Sequence, residues 1–408
     1  MKPMEGLRVI DLTRFLAGPH CTMLLAGLGA EVLKIEPPGR GDMFRNRPPY
    51  GRTDGCSDEK RDESDLGLGL LHRARNKKSI TLDLRLPEGK KLFADLCAKT
   101  DVVVENYAPG VMEKMGFSYD ALRALNPRLV LCSISGFGNT GPLRDRRAYD
   151  PIIQAMSGLM SLTGFAGQPP VRTGAAIADT ATPMIAVIGV LSALMRRQST
   201  GCGDWVDVSM LDSLTFLMPE VIEYFQGGAI TTPMENRHPG GAPFNSFHAA
   251  DGYVYVATVT DDDWNNLLRA IGRDDLLDDP RYARLPDRHK CVDEVESLVE
   301  GWVKIRSRDE IVDILQSHKV ACGPVLSMDE ALASEQLRAR DMLIPLSRPD
   351  GEEVPGAVGV GIPIRFAEDP VQFDAPAPVL GQHNDDVYGS LLGLDAAEIS
   401  RLKDAGVI

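Results

Sequence analysis

Residues 7–36 read LRVIDLTRFLAGPHCTMLLAGLGAEVLKIE, and the fold is decided there. LRVIDL at 7–12 is a short aliphatic strand, the segment from Thr13 carries a loop into a helix, and EVLKIE at 31–36 is a second strand. Strand, helix and strand at this spacing form a βαβ unit. AGPH at 17–20 lacks the G-x-G-x-x-G dinucleotide fingerprint, so the unit is expected to hold its ligand some other way.

The pattern continues outward. Residues 37–67 are rich in Gly, Pro and charge and read as a long exposed loop. HRARNKKSITLDLR at 72–85 joins a basic cluster (His72, Arg73, Arg75, Lys77, Lys78) to a strand. Such a cluster reads first as a solvated face; beside a βα layer of an acidic chain, an anion site that includes Arg75 is the rival. A helix from Pro87 to about Ala98, then strands at 101–106, 128–134 and 204–210, complete an α/β alternation. It predicts a mostly parallel sheet with helices on both faces. Ligands of such sheets sit beyond the carboxyl ends of the strands, which selects the loops after Leu12, Glu36, Asn106 and Ile134. Residues 226–246 form a Gly/Pro-rich break, followed by a hairpin turning at Asp251-Gly252 and by several helices.

The chain has 408 residues, 43% hydrophobic and 25% charged, with net charge −14. That balance argues against nucleic-acid binding, which needs a basic surface. The seven cysteines have no CxxC spacing and no His cluster, so reduced thiols, a cytoplasmic setting and no metal are expected. The N-terminus carries no signal-like run, and the apolar run from Pro183 to Met195 is shorter than the ~20 residues of a membrane span.

A lone aspartate, Asp179, follows Ala176, Ile177 and Ala178 and precedes that apolar run, with Thr180, Thr182 and Pro183 as helix-start residues. Local sequence favours a capping role for it. The rival is a desolvated nucleophile or base at a helix mouth.

Several collinear segments resemble the family III (CaiB/BaiF-type) CoA-transferases. They are residues 7–42, RNKKSITLDLRLPEGKKLF, DVVVENYAPGVMEKMGFSYDALRALNPRLVLCSISGFGNTGP, YDPIIQAMSG, the region of Asp179, and the tail PVLGQHNDDVYGSLLGLDAAEISRLKDAGVI. The resemblance implies an α/β fold, with a Rossmann-like large domain built from both chain ends, a smaller α+β domain between, and an interlocked dimer. The expected boundaries are 1–225 for the large domain, 226–246 for a linker, 247–330 for the small domain and 331–408 for the return segment. The resemblance also implies that Asp179 is catalytic. It places coenzyme A contacts on Phe15, Ala17, Leu82, Arg85, Asn106, Tyr107, Lys114, Met115, Ser135 and Gly136. Pro37 stands where some members carry a basic residue, so Arg40 or Arg45 is expected to serve the phosphates. The loop at 51–67 is longer and more acidic than the family pattern, and HPGGAP at 238–243 is a reduced counterpart of a glycine-rich loop.

Transfer of CoA between carboxylic acids passes through tetrahedral oxyanions, for which the Gly240 and Gly241 amides are candidate donors. Arg237 and His238 are candidates for the second carboxylate of a dicarboxylic acid. The expected reaction moves CoA from an acyl-CoA, succinyl-CoA by preference, to a carboxylic acid, with an aromatic or branched dicarboxylate such as benzylsuccinate as the candidate acceptor. Formyl-CoA with oxalate is disfavoured by the reduced glycine run. Two alternatives stand beside it. An α-methylacyl-CoA racemase would need a His-Asp pair where this chain has Tyr149-Asp150, and a tyrosine is a poor base for that step. A CoA-binding subunit of a heteromer would have no need of Asp179.

Overall fold

The computed structural model describes all 408 residues, which divide into two compact units. The first comprises Met1–Ser157, Gly174–Leu217 and Glu335–Ile408, the second Gly158–Thr173 and Met218–Ser334. The expected boundaries differ from this division. The stretch 226–246 belongs to the second unit rather than linking two, residues 218–225 and 158–173 join it, and the return segment begins at Glu335.

The first unit is built on six strands: β1 (Arg8–Asp11), β2 (Glu31–Glu36), β3 (Lys77–Thr81), β4 (Val102–Glu105), β5 (Val130–Ser135) and β6 (Trp205–Ser209). All pair in parallel, in the order β3-β2-β1-β4-β5-β6. Runs such as VVVE and VLCSIS have no polar alternation because both faces of the sheet are covered. On one face lie α1 (Ala17–Gly27) and the long helix α4 (Ile177–Thr200). Gly189 of α4 lies so close to the sheet that a Cβ would sit 2.5 Å from the Val206 side chain. On the other face pack the helices Pro87–Cys97, Tyr119–Leu125 and Ala396–Asp404. By length and composition α4 passes as a membrane span, but half of its apolar window is buried in this core, and a core helix passes the same test.

Strand β3 is an edge, and unpaired edge groups invite aggregation. Here the return segment covers them. The Ser79 amide donates to His383 Nδ1 at 3.2 Å, the Thr81 amide to Asn384 Oδ1 at 2.8 Å, and the Tyr388 hydroxyl to the Thr81 carbonyl at 2.7 Å. The stretch 37–67, expected as an exposed loop, is instead folded. Tyr50–Arg52, Gly55–Ser57 and Leu66–Gly67 make a small antiparallel sheet packed on Leu346 and Val354 of the return segment, with Asp65 buried against Arg348. Asp65 reads as solvated because its partner Arg348 lies 283 positions away in sequence.

The second unit holds an antiparallel sheet of Phe244–Ala249, Gly252–Ala257 and Ala321–Pro324. Helices Asp261–Ala270, Val292–Val303 and Arg308–Ser317 cover it around Trp264, Val299 and Leu315.

Candidate active site

The chain runs outward from β1 in both directions, so the topological switch point lies between β1 and β4. Asn106 ties the two loops that leave these strands. Its Oδ1 accepts the Arg14 amide at 2.9 Å, and its Nδ2 donates to the Arg14 carbonyl at 2.7 Å. Gly18 permits this closeness, since a Cβ there would meet Thr13 at 2.4 Å. Phe15 sits at φ 66°, a left-handed conformation that costs a side-chain-bearing residue about 1 kcal/mol. It holds an exposed ring edge-on to Tyr149, with centroids 6.1 Å apart.

Two adjoining clefts open beyond these strand ends. One, of about 280 Å³, is lined by Arg40, Leu82, Arg85, Tyr107 and Met115; the other, of about 390 Å³, by Phe15, Lys34, Arg40 and Asp42. Both share Arg14, Pro37 and Arg40, so they form one groove. Arg85 is paired with Asp83 at 2.6 Å, whereas Arg14 and Arg40 have no carboxylate partner. Arg14, which lies over the Tyr107 ring at 5.5 Å, was not singled out from sequence; the only signal was its place in a post-strand loop. A larger concavity of about 570 Å³ lies on the return segment around Ile344, Ile364 and Phe373 and contains none of the expected residues.

Other expected contacts fall elsewhere. Ala17 is buried at the start of α1, and Lys114 is exposed on the helix Val111–Met115 outside the groove lining. Ser135 Oγ accepts the Gly138 amide at 2.9 Å, and Gly136 lets the end of β5 approach Ala148. Arg75 is a correction. It is buried, donates to the carbonyls of His72 and Val360 and lies 4.1 Å from the centre of the Phe373 ring, so it braces the return segment instead of facing an anion. Arg45 is likewise engaged, in a buried pair with Glu36 at 2.6 Å.

The basic cluster is no solvated face. Lys77 is fully buried and pairs with Asp11 at 2.9 Å, and Lys34 pairs with Asp42 at 2.8 Å. Against the push of burial, Lys77 and Lys34 hold the Asp11 carboxyl far below the usual carboxylate range. These pairs form a rigid charged floor beneath the groove.

Asp179 occupies the first turn of α4. The helix starts at Ile177, earlier than Thr180–Pro183 suggests, and Pro183 lies inside it. The cap comes from the helix α3 (Asp150–Met156): Asp150 Oδ1 accepts the Ala178 amide at 2.7 Å and the Asp179 amide at 3.3 Å, while Oδ2 accepts from Gln154 at 2.6 Å. Asp179 is therefore not the cap. Its half-buried carboxylate accepts no hydrogen bond from the protein. Burial first, then the Asp150 charge, raises its pKa to about 6, with Arg73 pulling the other way.

The remaining candidates belong to the second unit, and three of them are occupied. Arg237 binds Glu296 at 2.7 Å and Asp293 at 2.5 Å, so its guanidinium is not free for a substrate carboxylate. The Gly240 amide donates to His238 Nδ1 at 3.0 Å, and the Gly241 amide points back to the His238 carbonyl at 3.5 Å. These amides close a turn in this structure and are not presented as oxyanion donors. His238 lies 3.7 Å from Glu220, against the Phe244 ring.

A doubly wound parallel sheet, a groove at its switch point and a desolvated carboxylate define an α/β enzyme of the nucleotide-binding kind. More narrowly, the chain belongs to CoA-transferase family III, whose model matches residues 4–384. It is 37% identical to the succinyl-CoA–D-citramalate CoA-transferase of Chloroflexus aurantiacus, over 100% of this chain and 98% of that protein. It is also 37% identical to the formyl-CoA:oxalate CoA-transferase of Streptomyces avermitilis, over the full length of both. Among solved structures, a CaiB/BaiF family protein from Brucella suis superimposes with a TM-score of 0.81 at 34% identity, covering 96% of this chain and 99% of that one. The chain is an acyl-CoA:carboxylate CoA-transferase.

Proposed function

We propose that Asp179 is the nucleophile of this transferase and that CoA travels through it covalently. The observation that carries the reading is a half-buried carboxylate, relieved of capping by Asp150 and left without a hydrogen bond. Poor solvation makes such a group a competent nucleophile toward a thioester, while a pKa of about 6 leaves it mostly ionised at neutral pH.

The steps balance without a net proton. The Asp179 carboxylate attacks the thioester carbonyl, the C–S bond breaks, and a mixed anhydride and CoA thiolate result. The thiolate attacks the aspartyl carbonyl, giving an aspartyl-CoA thioester and releasing the donor acid. The acceptor carboxylate displaces the thiolate to form a second anhydride. Thiolate attack on the acceptor's acyl carbon then yields the new thioester and restores Asp179.

In this reading coenzyme A lies along the switch-point groove. Arg14 and Arg40 supply free cations for its phosphates, and Phe15, Leu82, Tyr107 and Met115 supply its apolar contacts. The donor is succinyl-CoA and the acceptor a dicarboxylic acid. Support comes from relatives named for succinyl-CoA with D-citramalate and for succinate with glutarate, all dicarboxylic, while the formyl-CoA:oxalate relative shares a dicarboxylic acid but names a one-carbon donor. Those relatives return oxalate to the acceptor screen, beside citramalate and benzylsuccinate. A racemase reading loses its base pair, because Asp150 is committed to the helix cap. The resemblance further implies an interlocked dimer, which light scattering would test.

The deciding experiment is intact-protein mass after mixing with succinyl-CoA, with hydroxylamine trapping and peptide mapping. An adduct on Asp179, absent in Asp179→Ala, is expected. Exchange of an α-proton with deuterated water and no adduct would overturn the reading in favour of the racemase.

A further inference from the structure

The role expected of Arg237 has a better occupant in the first unit. Arg73 ends the short helix α2 (Leu68–Arg73). Its guanidinium lies 4.4 Å from the centre of the Phe44 ring, and Arg47 lies over the same ring at 5.2 Å. Neither arginine has a carboxylate partner, although ion pairs hold most of the cations around them. Arg73 Nη2 is buried and has no hydrogen-bond partner, a state shared by Nη1 of Arg75, but of these arginines only Arg73 lines the cleft beside the groove. A buried N–H of a cation left unmatched is costly, and in native proteins such a group calls for an explanation.

Three features give this group a direction. Arg73 lines a narrow cleft of about 10 Å³ with Phe15, Lys34 and Asp42, and those three residues also line the adjoining groove of about 390 Å³, so a carboxylate would approach the guanidinium from the groove. Gly69 keeps the approach open, since a Cβ there would sit 2.7 Å from Nη2. Phe15 of that cleft packs edge-on against Tyr149, the residue before the Asp150 that holds the Asp179 amide, and the charges of Arg73 and Asp179 act on each other, so the cation and the reacting carboxylate share one neighbourhood. Arg73 is the cation that opposes the Asp150 charge there. Asp42 is answered by Lys34 at 2.8 Å, and burial together with Arg73 and Arg75 keeps His20 and His72 neutral, with pKa values down to about 4 and about 3.

We propose that Arg73, backed by Arg47 on the shared Phe44 ring, receives the second, non-reacting carboxylate of a dicarboxylic substrate and so determines specificity. The assignment rests on the transferase reading above and deepens it. The planar guanidinium offers a fork that matches a carboxylate, and a site built around such a bond rejects analogues that lack the partner. A monocarboxylic acid of the same length would leave Nη2 unmatched. Stacking on Phe44 limits the side-chain freedom lost on binding.

The test compares kcat/KM for 13C-labelled succinate and for butyrate as CoA acceptors from unlabelled succinyl-CoA, the label making exchange with succinate visible by mass, in wild type and in Arg73→Met, Arg73→Lys and Arg47→Met. Wild type is expected to favour succinate. Arg73→Met should cut the succinate-to-butyrate ratio about 10- to 100-fold, the worth of a charge-assisted hydrogen bond. Arg73→Lys keeps the charge without the fork and should lose several-fold; it decides the matter if Arg73→Met does not fold. Arg47→Met should lose less than Arg73→Met. A wild type indifferent between the two acids, or a ratio unmoved in both Arg73 variants, would overturn the assignment. The Asp179 adduct is measured separately, so loss of the covalent route and loss of this assignment give different results.

Discussion

Replacing Asp179 by Asn should make the protein more stable while abolishing turnover. The argument is a proton linkage. The Asp179 carboxyl has an ordinary value of 3.8 and is raised to about 6 in the folded chain. Between those values the folded state holds a proton that the unfolded chain releases, so stability falls as pH rises through that window and levels off above it. Each pKa unit is worth about 1.4 kcal/mol, so the full cost approaches ~3 kcal/mol, and partial exposure of the side chain brings it to about 1–2 kcal/mol. Asn removes the charge and, because the carboxylate accepts no hydrogen bond from the protein, forfeits none. Urea unfolding at a series of pH values reads this directly. Asp179→Asn should exceed wild type by about 1–2 kcal/mol at about pH 8, and the two should converge toward about pH 4. A variant equal to or weaker than wild type at the higher pH, or a difference that ignores pH, would refute the idea that Asp179 is held in a destabilised charged state.

Other outcomes follow from the same geometry. Asp150→Asn keeps an acceptor for the Ala178 amide but removes a charge that raises the Asp179 pKa, so the acid limb of the kcat/KM profile should move to lower pH. Asp150→Ala leaves that amide and Gln154 unmatched and should cost about 1–2 kcal/mol in urea unfolding. Asn106→Ala cuts both bonds to the Arg14 backbone, and KM for the acyl-CoA should rise about 10-fold with a smaller change in kcat. Lys77→Met strands Asp11 in the core and should destabilise the protein by about 3–5 kcal/mol, read by the shift in urea midpoint.

What the sequence made legible was local. The βαβ unit stood out because the aliphatic runs at 7–12 and 31–36 flank a helix of small and apolar residues, and Glu31–Glu36 forms the strand as read. The switch-point loops followed from alternation alone. Residues whose partners lie far along the chain were misread. Arg45 reads as an exposed cation for phosphates, yet it is buried and donates to the Pro378 carbonyl, 333 positions away, as well as to Glu36. Arg237 was free on paper because Asp293 and Glu296 lie 56 and 59 residues further on. Arg75 looked like an anion site because nothing near it in sequence reveals the Val360 carbonyl, 285 positions away.

Asp179 shows how such a distant contact changes chemistry. An aspartate at a helix mouth ordinarily turns its carboxylate onto first-turn amides, which stabilises its charge and blunts it as a nucleophile. Local sequence predicts that arrangement, and an isolated peptide of this segment would be expected to adopt it. In the folded chain Asp150, 28 residues before Ala178, takes the first amides and brings a second negative charge to the same helix end. One carboxylate thereby satisfies the helix so that the other need not. Pro183, which has no N–H to return to the Asp179 carbonyl, loosens the same turn from the other side. Arg73 then offsets part of the repulsion, holding the Asp179 pKa near the lower edge of neutrality rather than above it. A carboxylate that is ionised but poorly solvated results from these three residues together, and none of them adjoins it in sequence.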